Sequence, residues 1–160
     1  MKPLSNKEKR TLREQMLKLY KIDLKDLIRK RTVYFYKDLN VFVLEKSPIA
    51  FIYDEKVYPT LQLLMLVEDF EIPYVIVDKG AVKFIINGAD VFRPGITEID
   101  ESLRKDNAVI VVSEDKKLLS IGKALCSYED VLKMEKGKVV KNLHYYGDKI
   151  FRLEKLLKEG

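Results

Sequence analysis

The chain has 160 residues, 47% of them apolar and 34% charged, with a net charge of +5. That balance fits one ordinary folded domain or two small ones, and excludes a disordered chain. No run approaches the ~18 apolar residues of a membrane span, the opening residues lack the apolar core of a signal peptide, and a single cysteine excludes an intrachain disulfide framework, so a cytoplasmic protein with no membrane partner is expected.

Charge is unevenly spread. Residues 1–37 carry 12 Lys and Arg against 4 Asp and Glu, whereas residues 38–72 carry 2 against 7. A basic first quarter suits a polyanionic partner, and it equally suits a solvated helix face. Leu12, Met16, Leu19 and Tyr20 recur at helical spacing, and Leu24, Leu27 and Ile28 predict a second short helix entered near Asp23. The period then changes. Residues 32–37, 41–44 and 49–53 read as strands, and Pro59 with Thr60 predicts a helix start. Tyr34 and Tyr36 alternate beside Lys30, Arg31 and Lys37. They either stack unpaired bases or pack under the amino-terminal helices. The acidic run around Glu68–Glu71, followed by Pro73, makes the best domain boundary.

The second half reads as mostly β. Residues 74–77 form a strand, and Asp78 stands where a helix N-cap belongs. A short helix is predicted over 79–87, with Phe84, Ile85 and Ile86 taken as core and Gly88 as its left-handed stop. Strands are expected at 90–92, 107–112, 118–125, 139–142 and 150–153, with a helix capped by Ser127 between the strands at 118–125 and 139–142. Six short strands and two short helices suffice for a nearly closed barrel. The fold class is therefore α+β: a small amino-terminal unit over 1–73, a mostly β barrel over 74–152, and a short tail over 153–160.

From Asp78 to Gly95 the sequence follows the spacing D-K-G-A-x(6)-G-A-x(4)-P-G. This closely resembles the opening of the PUA domain, an RNA-binding module. Ile121–Ser127, Lys136–Val140 and Asn142–Asp148 are similar to its central and closing strands. The segment Tyr58–Leu64, shortly before, narrows the likeness to the pre-PUA plus PUA arrangement of the malignant T-cell amplified sequence translation factors and their archaeal relatives. The resemblance implies a non-catalytic RNA-binding protein of the translation apparatus, docking on tRNA or small-subunit ribosomal RNA, with a translation-factor partner protein. An RNA-targeting subunit for a modifying enzyme and a ribosome-assembly factor are the alternatives. Carried onto this sequence, its RNA contacts are Lys79, Gly80, Ala81, Lys83, Arg93, Pro94 and Gly95, with Lys141 and His144 as weaker members; from the residues alone, His144 reads as a satisfied structural histidine. Lys83 and Arg93 are expected on the solvent side, neutralising phosphates. The glycines are needed to close the fold whether or not RNA binds.

No catalytic constellation is read. The single histidine, His144, and the single cysteine, Cys126, cannot make a zinc site together, and neither a G-x-S-x-G elbow nor a phosphate-binding loop is present. No metal or cofactor is expected.

Overall fold

The computed structural model describes residues 1–160, which divide into two compact units. The first is built from two stretches of chain, Met1–Glu71 and Lys149–Gly160; the second is Ile72–Asp148.

In the first unit, β1 (Lys2–Pro3), β2 (Val33–Tyr36), β3 (Val41–Leu44), β4 (Ser47–Tyr53) and β5 (Lys56–Pro59) form an antiparallel sheet in chain order. Pro3 and Pro59 lie on its two edge strands, where a missing amide costs no ladder bond. Helix α1 (Asn6–Tyr20) starts in a capping box: Ser5 Oγ accepts from the Glu8 amide at 3.1 Å, and Glu8 Oε1 accepts from the Ser5 amide at 2.9 Å. It buries Leu12, Met16 and Tyr20, one residue per turn, each worth roughly 1.5–3 kcal/mol of apolar burial. The Tyr20 hydroxyl donates to the Val57 carbonyl, which pins the helix to β5. Leu19, by contrast, is exposed. The short α2 (Lys25–Ile28) follows. Thr60 is fully buried and caps α3 (Leu61–Leu66), accepting from the Leu63 amide while donating to the Pro48 carbonyl at 2.8 Å.

The end of the chain departs from the sequence reading. Residues 150–153 are not a barrel strand, and 153–160 are not a tail. Both belong to helix α6 (Lys149–Glu159), which completes the first unit. Leu153 is buried, Ser47 Oγ donates to Glu154 Oε1 at 2.6 Å, and Gln62 Nε2 donates to the Phe151 carbonyl at 3.3 Å. The barrel therefore ends at Asp148 rather than at residue 152.

The second unit still has six strands, because one that the sequence hid takes the vacant place. Its elements are β6 (Tyr74–Val77), α4 (Lys79–Ile85), β7 (Val91–Phe92), a 3-10 turn (Arg93–Gly95), β8 (Ile96–Ile99), β9 (Ala108–Ser113), β10 (Leu118–Ala124), α5 (Tyr128–Lys133) and β11 (Lys138–Tyr145). The sheet order is β7-β11-β10-β9-β6-β8, all antiparallel except the β6–β9 pair. That parallel pair needs a long crossover, and α4, β7 and β8 supply it. The two edge strands, β7 and β8, are joined by only the three residues of the 3-10 turn. A six-stranded sheet whose edges are so tethered must curl until they nearly meet, which makes the unit a pseudo-barrel. Its core is aliphatic, centred on Val75, Val77, Val109, Val111 and Val140, with Ile85 reaching in from α4. At Gly122 the ladder bulges, and a Cβ there would lie 2.2 Å from the Lys141 carbonyl oxygen.

Candidate nucleic-acid interface

Asp78 caps α4 as the sequence predicts, its Oδ1 accepting from the Ala81 amide at 2.9 Å. Gly88, at φ +97°, lets the chain turn back so that the Ala89 amide reaches the Phe84 carbonyl. Asn142 on β11 clamps this corner. Its Nδ2 donates to the carbonyls of Ile85 (3.1 Å) and Ala89 (3.0 Å), and its amide donates to Asp90 Oδ1 at 2.9 Å. Gly95 is needed for close packing, since a Cβ there would sit 3.2 Å from that of Ala81. These contacts fix α4, β7 and the 3-10 turn as one rigid rim.

Along that rim runs a groove of about 300 Å³, lined by Ala81, Ile85, Ala89, Asp90, Val91 and Gly95 and by the rings of Phe84 and Phe92. Phe84 is 59% exposed and Phe92 48% exposed, an unusual state for large aromatics on a small soluble unit. A lysine stands by each ring: Lys83 Nζ lies 5.2 Å from the Phe84 centroid, and Lys138 Nζ lies 6.0 Å from that of Phe92. Lys138 is also 3.1 Å from Asp90, which steadies it beside the ring. Open aromatic faces flanked by cations can stack bases while the lysines neutralise phosphates.

The sequence-derived contact residues divide. Lys79 and Gly80 are exposed on the first turn of α4, Lys83 is exposed beside Phe84, and Pro94 is exposed in the 3-10 turn. Ala81 and Gly95 are half-buried in the groove lining. Lys141 is exposed on β11, in register with Lys123. Arg93 is not a free surface cation. Half-buried, it donates from Nε to the Val131 carbonyl at 2.9 Å and from Nη1 to the Ile96 carbonyl at 3.3 Å, tying α5 to the start of β8. His144 is fully buried, with Nδ1 2.8 Å from Asp148 Oδ2, and has no surface from which to touch RNA. Phe84 and Ile86, expected in the core, are exposed; only Ile85 of that triplet is buried. In the first turn of α4 the Asp78 carboxylate takes the Ala81 amide.

Sequence reasoning missed Phe92 and Lys138, and misplaced Phe84. The signal was in the helix geometry: three consecutive residues sweep about 200° of a helix, so 84–86 could not all face one core. No group of three or more His, Cys, Asp or Glu side chains is placed to hold a metal ion. Partial burial pushes the Cys126 thiol above its ordinary value.

The PUA domain family model matches residues 73–146, and a model described as Domain of unknown function (DUF1947) matches residues 3–66. The uncharacterized protein MJ1432 of Methanocaldococcus jannaschii is 38% identical over 156 residues, 94% of this chain and 94% of that one. Malignant T-cell-amplified sequence 1 of Rattus norvegicus is 37% identical over 101 residues. The chain belongs to this family of PUA-domain proteins. The rat match covers 61% of this chain and 55% of that protein, so the aligned part spans about half the length of the eukaryotic relative. Translation machinery-associated protein 20 of Eremothecium gossypii is 35% identical over 101 residues, 59% of this chain and 55% of that protein. Among solved structures, the conserved PUA domain protein from Thermoplasma acidophilum superposes with a TM-score of 0.75 at 29% identity, covering 94% of this chain and 97% of that one. The rim formed by α4, β7 and the 3-10 turn thus lies within the PUA domain, and the first unit's α1–α3 and sheet correspond to the pre-PUA region.

Proposed function

We propose that this PUA-family protein is a non-catalytic, cytoplasmic RNA-binding component of the translation apparatus that holds tRNA or small-subunit ribosomal RNA in the Phe84–Phe92 groove. The observation that carries the reading is the pair of exposed aromatics lining one groove, each with a lysine at its face. Relatives with Malignant T-cell-amplified sequence and Translation machinery-associated in their names support the setting. In this reading the rings stack unpaired bases at the end or in a loop of a structured RNA. Lys79 and Lys83 neutralise the adjoining phosphates, while Lys138 stays paired with Asp90 beside the Phe92 ring. A partner translation factor then adds affinity for the ribosome.

The test is Phe84→Ala with Phe92→Ala in the full chain, assayed by anisotropy with a tRNA-sized transcript. Stacking is worth ~1–3 kcal/mol per base, so affinity should fall roughly 30-fold or more. Both rings are exposed, so the melting temperature should hardly change. Binding within twofold of wild type would remove the groove from the site. Crosslinking in cells identifies the RNA: small-subunit and initiator-tRNA reads fit the proposal, whereas sites clustered at one modified nucleotide point to an RNA-targeting subunit.

A further inference from the structure

A second charged concavity lies on the first unit, where α1 and α2 face each other across about 480 Å³. Its lining includes Lys9, Arg10, Arg13, Lys25, Arg29 and Lys30, with Asn6 and Ile28 as the remainder and no acidic side chain. Lys9 is tied down, its Nζ donating to the Arg31 carbonyl at 2.6 Å. The side chains of Arg10, Arg13, Lys25, Arg29 and Lys30 make no ion pair and no internal hydrogen bond. Arg13 Nε is buried and has no hydrogen-bond partner, although buried guanidinium donors are normally satisfied. Arg10 and Arg13, three apart, project from one face of α1. The basic ends of α2 close the other side. Six cations converging without a counter-charge repel one another until an anion enters.

We infer that this α1–α2 cleft is a second RNA-contact site, holding backbone phosphates of the same RNA that the PUA unit binds. It rests on the RNA-binding reading above and gives the basic first quarter of the chain a specific task. Phosphate fits better than an acidic peptide. Arginine forks match phosphate oxygens in bidentate geometry, and the lining offers one apolar side chain, too little to anchor peptide residues. With no aromatic in the lining, the cleft reads backbone charge and not base identity.

The experiment measures affinity of the full chain for a tRNA-sized transcript across a salt series, for wild type, for Arg10→Gln/Lys25→Gln/Arg29→Gln, and for Phe84→Ala/Phe92→Ala. All three cleft positions are exposed, and thermal melts check that the variant is folded. Losing three phosphate contacts should flatten the log K against log salt slope by about 2 and lower affinity roughly 30-fold or more near 0.1 M salt. The Phe pair should lower affinity with its slope unchanged. A folded cleft variant with wild-type slope and affinity overturns the inference, whatever the Phe variant does. A cleft variant that loses binding while the Phe variant keeps it supports the cleft and sinks the groove instead. Arg13→Gln, tested alone, should weaken binding in the same direction. Competition separates the ligand classes: an oligonucleotide should displace the transcript, and a poly-glutamate peptide of equal charge that did so equally well would overturn the assignment to RNA. Inorganic phosphate matching the oligonucleotide at equal ionic strength would likewise overturn it, reducing the cleft to a simple anion site.

Discussion

Arg93→Ala separates a structural arginine from a phosphate-binding one. Its Nε bond to the Val131 carbonyl and its longer Nη1 bond to the Ile96 carbonyl hold α5 against the strand that closes the barrel. A hydrogen bond from a charged donor contributes ~1.5–3 kcal/mol when buried. Arg93 is only half-buried, its second bond is 3.3 Å, and the Val131 carbonyl keeps the Met134 amide at 3.1 Å, so the two bonds together are discounted to about 2 kcal/mol. For a unit the size of Ile72–Asp148 unfolding by itself, that lowers the melting temperature by roughly 8–16 °C. Circular dichroism reads the melt, and RNA affinity is measured well below it, where the variant is folded and should bind nearly as wild type does. Arg93→Lys is the decisive companion. It keeps the charge but cannot reproduce both fork bonds, so it should melt low while binding RNA normally. Wild-type melting for both variants, with RNA binding lost in Arg93→Ala and kept in Arg93→Lys, would refute the structural role and restore Arg93 to the RNA contacts.

Lys83→Glu, on the exposed face of α4, should leave the melt unchanged and weaken RNA binding about tenfold or more at low salt, since it reverses charge beside Phe84. His144→Phe should destabilise the barrel by roughly 2–3 kcal/mol, because it removes the imidazole that stands 2.8 Å from the mostly buried Asp148 carboxylate; denaturant titration reads this, and RNA affinity of the folded variant should not change. A fragment spanning Ile72–Asp148 should melt cooperatively on its own, whereas one ending at Glu71 should melt well below a version with residues 149–160 rejoined, because α6 covers the apolar surface under Leu153.

Much of the rim was legible because its signals are local. Asp78 as a cap, Gly88 as a left-handed stop and Ser127 as a second cap are each dictated by one or two residues, and all three stand as read. The missed strands are those whose pairing is not local. Residues 96–99 look like the end of a turn until β6 is beside them, and residues 56–59 end in a proline that reads as a helix start but is tolerated on a sheet edge. Helix α6 was mistaken for a strand because Ile150 and Phe151 have high β-propensity; the longer spacing Ile150, Leu153, Leu157 is helical. In the site, charge was an incomplete guide. An arginine in a binding motif suggests a contact, but Arg93 bonds backbone carbonyls, whose identity sequence spacing does not show; His144, against the resemblance but as its residue-level reading expects, is a structural histidine bonded to a buried carboxylate. Phe84 reads as core because apolar residues are presumed internal, and Phe92 reads only as the end of a strand.

RNA seated in the groove is tested most directly by ultraviolet crosslinking of the full chain to a tRNA-sized transcript, followed by mass-spectrometric localisation of the nucleotide adducts. Base stacking on the rim predicts adducts at Phe84 and Phe92, with secondary adducts at the adjoining Lys83 and Lys138 and in the α1–α2 cleft. Adducts confined to other surfaces of the barrel, with both phenylalanines unmodified, would contradict it.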